Sequence, residues 1–166
     1  NAASNGERIN QPGRYDAKPA CGQTEQVGAL TQFVPISFSG NNTVDAAIAS
    51  LSQSSTCSMV NNLYTPSSTV VSPSVGLAVK KVGRTSGLTT GTISGINVTY
   101  GVGVARFVNQ IYVGSNFIRS GDSGSMMVTQ NGNNPVGLNF AGSGGQSFAN
   151  PIGPALQAFG ATVCNQ

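Results

Sequence analysis

An all-β fold of the sandwich or barrel kind is what this sequence predicts, and three observations carry the expectation. Short apolar runs rich in Val, Ile, Thr, Tyr and Phe recur along the chain, separated by Gly, Asn and Ser turns. Gly numbers 22, and Ser, Thr and Asn are abundant, which suits a chain that turns often. Charged residues make up only 8% of the chain while apolar residues make up 39%, enough to fill a core and to set aside a disordered reading.

Taken in order, residues 1–26 are polar and broken by Pro12-Gly13, Pro19 and Gly22, so they read as loop or extended arm. Val27 to Phe38 is the first strand-like run. Asn41-Asn42 then turns the chain into Val44-Asp45-Ala46-Ala47-Ile48-Ala49, a short apolar segment holding one acid. Residues 50–74, rich in Ser, Thr and Pro, read as a long surface connection. From there the β signal is continuous, with runs at Val75–Val82, Leu88–Ile96, Val98–Phe107, Gln110–Val113, Ser125–Thr129, Val136–Phe140 and Gln146–Ala149. Asn131-Gly132-Asn133-Asn134 fits a hairpin turn before Pro135. Ile152, Leu156, Phe159 and Val163 recur at helical spacing, with Gly160 as a stop, so one C-terminal helix is expected. No repeat of solenoid or propeller length is present, and the runs vary too much in length for a β-helix.

The net charge of +3 comes from eight basic residues scattered along the chain, with one cluster at Lys80, Lys81 and Arg84 that reads as a solvated strand edge. That distribution argues against nucleic-acid binding. No apolar run reaches the roughly 20 residues of a membrane-spanning helix. Cys21, Cys57 and Cys164 form no CxxC pair, and with no histidine the chain has almost no ligand set for a structural zinc. One disulfide plus a free thiol, or a partner cysteine outside the chain, both fit that count. Asn41 and Asn97 match the N-x-Thr acceptor pattern, which is common by chance. Secreted and cytoplasmic locations are both compatible with this composition. An Asn at position 1 suggests a processed product rather than a translation start.

The chemistry concentrates in Ser120-Gly121-Asp122-Ser123-Gly124-Ser125. A turn of this composition presents a serine hydroxyl outward while neighbouring N–H groups converge beside it, the arrangement that receives a developing oxyanion. The N–H groups of Gly121 and Ser123 are the natural donors. The same residues also make an ordinary turn, since Asp and Ser bond locally to backbone and Gly takes positive φ. Asp45 is the second feature. It is one of three aspartates and sits in an apolar segment, where an unpartnered carboxylate is expensive. It reads either as an acid with a dedicated hydrogen-bond donor or as the cap of a short helix over Ala46–Ser50.

Several stretches together give a more specific signal. Gln11-Pro12-Gly13, Asn42–Ala49, Gly83-Arg84-Thr85-Ser86-Gly87-Leu88-Thr89-Thr90-Gly91, Ser120–Ser125, Val136–Ser143 and Ala149-Asn150-Pro151-Ile152, in this order, resemble the C-terminal part of the chymotrypsin-like (trypsin-fold) serine peptidases. The resemblance covers nearly all of the chain and is nearest to a bacterial and plant branch that includes the rice narrow-leaf protein. It implies a trypsin-like double β-barrel: residues 1–74 as the end of a partial first barrel and the connection, and residues 75–166 as a complete second barrel with the helix. It further implies serine endopeptidase chemistry on a peptide or protein substrate, with no cofactor and no metal. Ser123 would be the nucleophile, Asp45 the triad acid, and Gly121 and Ser123 the oxyanion donors. Phe140, Ala141 and Gly142 would pair with substrate backbone, and Phe117 would floor the specificity pocket, favouring an uncharged side chain. Asp122 would brace the loop through a buried ion pair, with Arg119 and Arg84 as candidate partners.

One part of that machinery is missing. The chain contains no histidine, and a serine hydroxyl needs a base to take its proton. In the family the histidine precedes a small-residue, Asn-rich segment, which Asn1-Ala2-Ala3-Ser4-Asn5 resembles. The expectation is therefore a base on an N-terminal fragment of the same precursor that stays bound without a covalent link. The competing expectation is an inactive peptidase-like module used for binding or structure.

Overall fold

The computed structural model describes residues 4–13, 16, 17, 19, 22–52, 63–114 and 116–164. Among these, the elements in chain order are β1 (Arg8–Gln11), β2 (Glu25–Phe33), β3 (Asn41–Asn42), β4 (Ala47–Leu51), β5 (Ala78–Gly83), β6 (Gly87–Val102), β7 (Ala105–Val113), β8 (Met126–Thr129), β9 (Pro135–Ser143), β10 (Gln146–Pro151) and the helix α1 (Ile152–Gln157). They fall into two compact units. One comprises Asn1–Pro35 with Ala47–Thr56, the other Ile36–Ala46 with Cys57–Gln166.

The first unit is an antiparallel sheet in the order β1-β2-β4. β1 lies inside the polar segment that the sequence pattern reads as loop. Its Arg8 and Gln11 pair with Ala29 and Glu25 of β2, so tertiary pairing makes a strand where the apolar pattern does not announce one. β4 runs through Ala47–Leu51, which removes the helix whose cap Asp45 would have been. Its Ala47 and Leu51 pair with Phe33 and Gly28.

The second unit closes on itself. Its strands pair in the order β10-β9-β8-β5-β6-β7, and β7 pairs back onto β10 to complete the ring, with the short β3 added in parallel to β7. Alternation on β7 turns Ala105, Phe107, Ile111 and Val113 inward, as the two-residue side-chain period requires. Of these, Ile111 and Val113 join Val79, Ile93, Phe117, Ile118, Met127, Val136 and Ala149 in one core. Burying a side chain of this size contributes about 1.5–3 kcal/mol.

The strand boundaries differ from the sequence pattern in one informative way. Leu88–Ile96 and Val98–Phe107 read as two runs, yet β6 passes through Asn97 as one 16-residue strand and the chain turns at Gly103-Val104. The break becomes a series of register shifts between Ile93 and Tyr100, which bend the strand without ending it. The β9–β10 connection is tighter: Gly144 and Gly145 both take positive φ, 58° and 84°, the pairing a two-residue hairpin turn requires. The helix is six residues long, with Ile152 and Ala155 buried, and Gly160 at φ 58° follows it. Cys164 is disulfide-bonded, while Cys21 and Cys57 lie outside the described residues.

Candidate active site

The turn between Phe117 and Ser125 is held from three sides. Gly121 and Gly124 take φ of 96° and 87°, conformations an L side chain rarely adopts. Asp122 points inward and forms an ion pair with Lys81 of β5 at 3.2 Å, both side chains at 0% exposure. The sequence pattern offered Arg119 or Arg84 for that charge and read Lys81 as solvated edge. Lys81 instead shares the inward face of β5 with Val79, two residues earlier. Arg119 contributes only its backbone N–H, at 2.9 Å from the Asp122 carboxylate.

The β5–β6 turn completes the cradle. Thr85 and Ser86 donate their N–H groups to Asp122 Oδ1 at 2.8 and 3.1 Å, and the Ser86 hydroxyl donates to Oδ2. Thr85 Oγ1 donates to the Ser120 carbonyl at 2.8 Å. Lys81 Nζ also reaches Ser86 Oγ, and donates to the Gly87 carbonyl at 3.0 Å. Burial alone would raise the Asp122 carboxyl, but the bonds from Ser86, Arg119 and Thr85 hold it well below the usual carboxylate range. The Gly83–Gly87 stretch, which sequence comparison singles out only as a resemblance, is thus what fixes the turn.

On the outer side, Ser123 is exposed and its Oγ donates to the Phe140 carbonyl at 3.1 Å. The strand is irregular at that point. In β9, Ala141 pairs with Phe148 and Asn139 with Ala149, so Phe140 has no partner on β10. Gly124 N–H donates to the Asn139 carbonyl at 2.7 Å and the Asn139 N–H returns to Ser125 at 3.0 Å, tying turn to strand. Among the described residues, neither the Gly121 nor the Ser123 N–H donates to a protein acceptor. An anionic oxygen beside this turn would meet two uncommitted donors. A carbonyl cannot take the hydroxyl proton, so this bond does not ionise Ser123.

Asp45 belongs to the same unit and is fixed to the same hairpin. Its N–H donates to Asn150 Oδ1 at 2.9 Å, and Asn150 on β10 pairs with Leu138 of β9. The apolar segment around it buries Val44 but leaves Asp45 exposed, contrary to the enclosed acid expected from the pattern. The carboxyl is nonetheless partly desolvated by its surroundings, which raises it above the ordinary aspartate range. Ala141 is half-buried and Gly142 exposed at the end of β9. Phe117 sits at 1% exposure in the core, its ring lying against the face of Gly91 and its carbonyl accepting from Thr89 Oγ1 at 2.7 Å.

Known proteins share this arrangement of strands. Streptogrisin-A of Streptomyces griseus is 34% identical over 110 residues, which are 63% of this chain and 36% of that protein, so the chain spans about a third of its length. A glutamic acid specific serine protease that uses a histidine triad in substrate binding is 26% identical with a TM-score of 0.66, over 89% of this chain and 78% of that one. The chymotrypsin of Cellulomonas bogoriensis is 25% identical with a TM-score of 0.66, over 83% and 76% of the two chains. A Nocardiopsis protease, at 22% identity, shares the fold with a TM-score of 0.69 over 87% and 79%. The family model described as the Nal1 C-terminal domain matches residues 26–150. With its all-β, trypsin-like fold, the chain therefore belongs to the Nal1 C-terminal domain family.

Proposed function

We propose that this chain carries the nucleophile, acid and oxyanion donors of a serine endopeptidase whose general-base histidine lies outside these 166 residues. Ser123 attacks the substrate carbonyl and forms an acyl-enzyme that water then hydrolyses. Asp45 orients the incoming imidazole, accepting from one ring nitrogen while the other takes the Ser123 proton. The Gly121 and Ser123 N–H groups hold the tetrahedral oxyanion. Phe140, Ala141 and Gly142 align the substrate backbone, and Phe117 backs the pocket with an apolar wall that favours an uncharged side chain. The base comes from an N-terminal fragment of the same precursor, bound without a covalent link.

The observation that carries this reading is the pairing of an exposed Ser123 hydroxyl with two uncommitted N–H groups on a turn locked by a buried ion pair. A turn kept only for shape has no need of that rigidity. The complete absence of histidine favours a second reading, an inactive peptidase-like module that binds without cutting. Fluorophosphonate treatment of the purified protein, followed by peptide mapping and intact mass measurement, separates the two. The peptidase reading expects one adduct, on Ser123, lost in Ser123→Ala, together with a companion polypeptide. A folded sample in which the companion polypeptide is present and Ser123 still acquires no adduct would favour the inactive module instead.

A further inference from the structure

Three buried side-chain amides lie under the segment that carries Asp45. Asn42 accepts the Ser37 N–H at 2.8 Å and donates to the Ser37 and Arg106 carbonyls at 2.8 and 3.1 Å. Gln110, fully buried on β7, donates to the Thr43 carbonyl at 3.0 Å and to that of Val108. Its Oε1 accepts from Asn150 Nδ2 at 2.6 Å, and Asn150, fully buried on β10, accepts the Asp45 N–H at 2.9 Å.

This chain of bonds works in one orientation only. Reversing the Asn150 amide would set its NH₂ group against the Asp45 N–H and its oxygen against Gln110 Oε1. Each member therefore fixes the next, and the low dielectric around them strengthens every link. The groups are neutral, so the arrangement does not change with pH in the range where carboxylates and imidazoles titrate. Elsewhere β7 fills its inward positions with Phe107, Ile111 and Val113, and an amide among them is costly unless fully bonded. The bonds converge on Thr43 and Asp45, while the Val44 side chain between them is buried. The backbone that directs the Asp45 side chain is thus held on both sides.

We infer that Asn150 and Gln110 are positioning residues that set the direction of the Asp45 carboxyl. The inference rests on the reading of Asp45 as the acid that orients the base. Asn150→Leu removes the acceptor for the Asp45 N–H. Gln110→Glu keeps an oxygen for Asn150 Nδ2 but, when ionised, cannot donate to Thr43. Asn150→Asp keeps the acceptor, loses the donor to Gln110 and adds a second carboxyl beside Asp45.

The test is the rate of fluorophosphonate labelling at Ser123 across pH in the histidine-bearing protein, with carbon NMR titration of the Asp45 carboxyl. In folded Asn150→Leu, labelling should slow by roughly tenfold to a hundredfold, the range expected when a reacting group is displaced by about 1 Å. In Asn150→Asp the acid limb of the profile should move to higher pH, since a neighbouring like charge disfavours ionisation of Asp45. Where Asn150→Leu fails to fold, Gln110→Glu carries the same expectation of slower labelling. Folded variants with wild-type labelling rates, profiles and Asp45 titration would overturn the inference. A wild type that does not label counts against the peptidase reading instead. The Asp45 titration then decides alone, a shift in the variants supporting the network and an unshifted curve overturning it.

Discussion

At the scale of single residues, Lys81 and Asp122 show what the site depends on. Two opposite charges at 0% exposure and 3.2 Å apart repay their desolvation only because Ser86, Thr85, Arg119 and Gly87 satisfy the remaining donors and acceptors. Lys81→Met should therefore destabilise the fold by about 3–5 kcal/mol, the cost of leaving a buried charge without its partner. Chemical denaturation measures it, and a loss below about 1 kcal/mol, the size of an exposed pair, would contradict the burial. Asp122 and Asp45 act on stability with opposite signs. Asp122 is lowered, so its contribution is present above the unfolded value near 3.9 and is lost only as pH falls through its still lower folded value. Asp45 is raised, so its ionisation subtracts stability, and that cost is relieved as pH falls through the raised value. Its NMR titration midpoint should accordingly exceed about 3.9, and a midpoint at or below it would contradict the desolvation. Ser123 and Gly121 stand out in the sequence because their chemistry is local to one turn. Lys81 does not, because its neighbours Lys80 and Arg84 disguise an inward position that only the alternation with Val79 betrays.

At the scale of elements, the turn that carries Ser123 is a guest of two hairpins. The β5–β6 turn grips it from below through Thr85 and Ser86, and the bulge at Phe140 in β9 offers it a carbonyl from the side. The two glycines of the turn separate conformation from space. A Cβ on Gly121 would strike the Thr85 hydroxyl, whereas one on Gly124 would meet nothing within 4 Å. Both positions carry positive φ, so Gly124→Ala should cost only backbone strain of about 1–3 kcal/mol. Gly121→Ala should cost more and, on the proposed reading of its N–H as an oxyanion donor, also slow Ser123 labelling by about a hundredfold or more, because relieving the clash moves that N–H. Equal melting temperatures and labelling for the two variants would contradict this geometry. The strands of the second unit are legible because their alternation is intact and their turns are marked by Gly and Asn. The bulge, the register shifts of β6 and the polar strand β1 are not, since each depends on which partner a strand finds rather than on its own pattern.

At the scale of the whole molecule, the two units are built differently. The second closes its ring of strands, while the first is a three-stranded sheet with Ile9 and Leu51 among its exposed apolar residues. The sequence contains no histidine, so on the peptidase reading proposed above the base has to come from outside these 166 residues. Asp45 and Ser123 are both anchored to the β9–β10 hairpin, Asp45 through Asn150 and Ser123 through Phe140. The most direct measurement is the rate of Ser123 labelling by a fluorophosphonate in this 166-residue chain alone and in the histidine-bearing protein. Losing the base of a triad costs on the order of a millionfold in turnover, so the larger protein should label faster by several orders of magnitude, with Ser123→Ala unreactive. Equal and negligible labelling of both folded samples would contradict the claim that this turn performs acyl transfer.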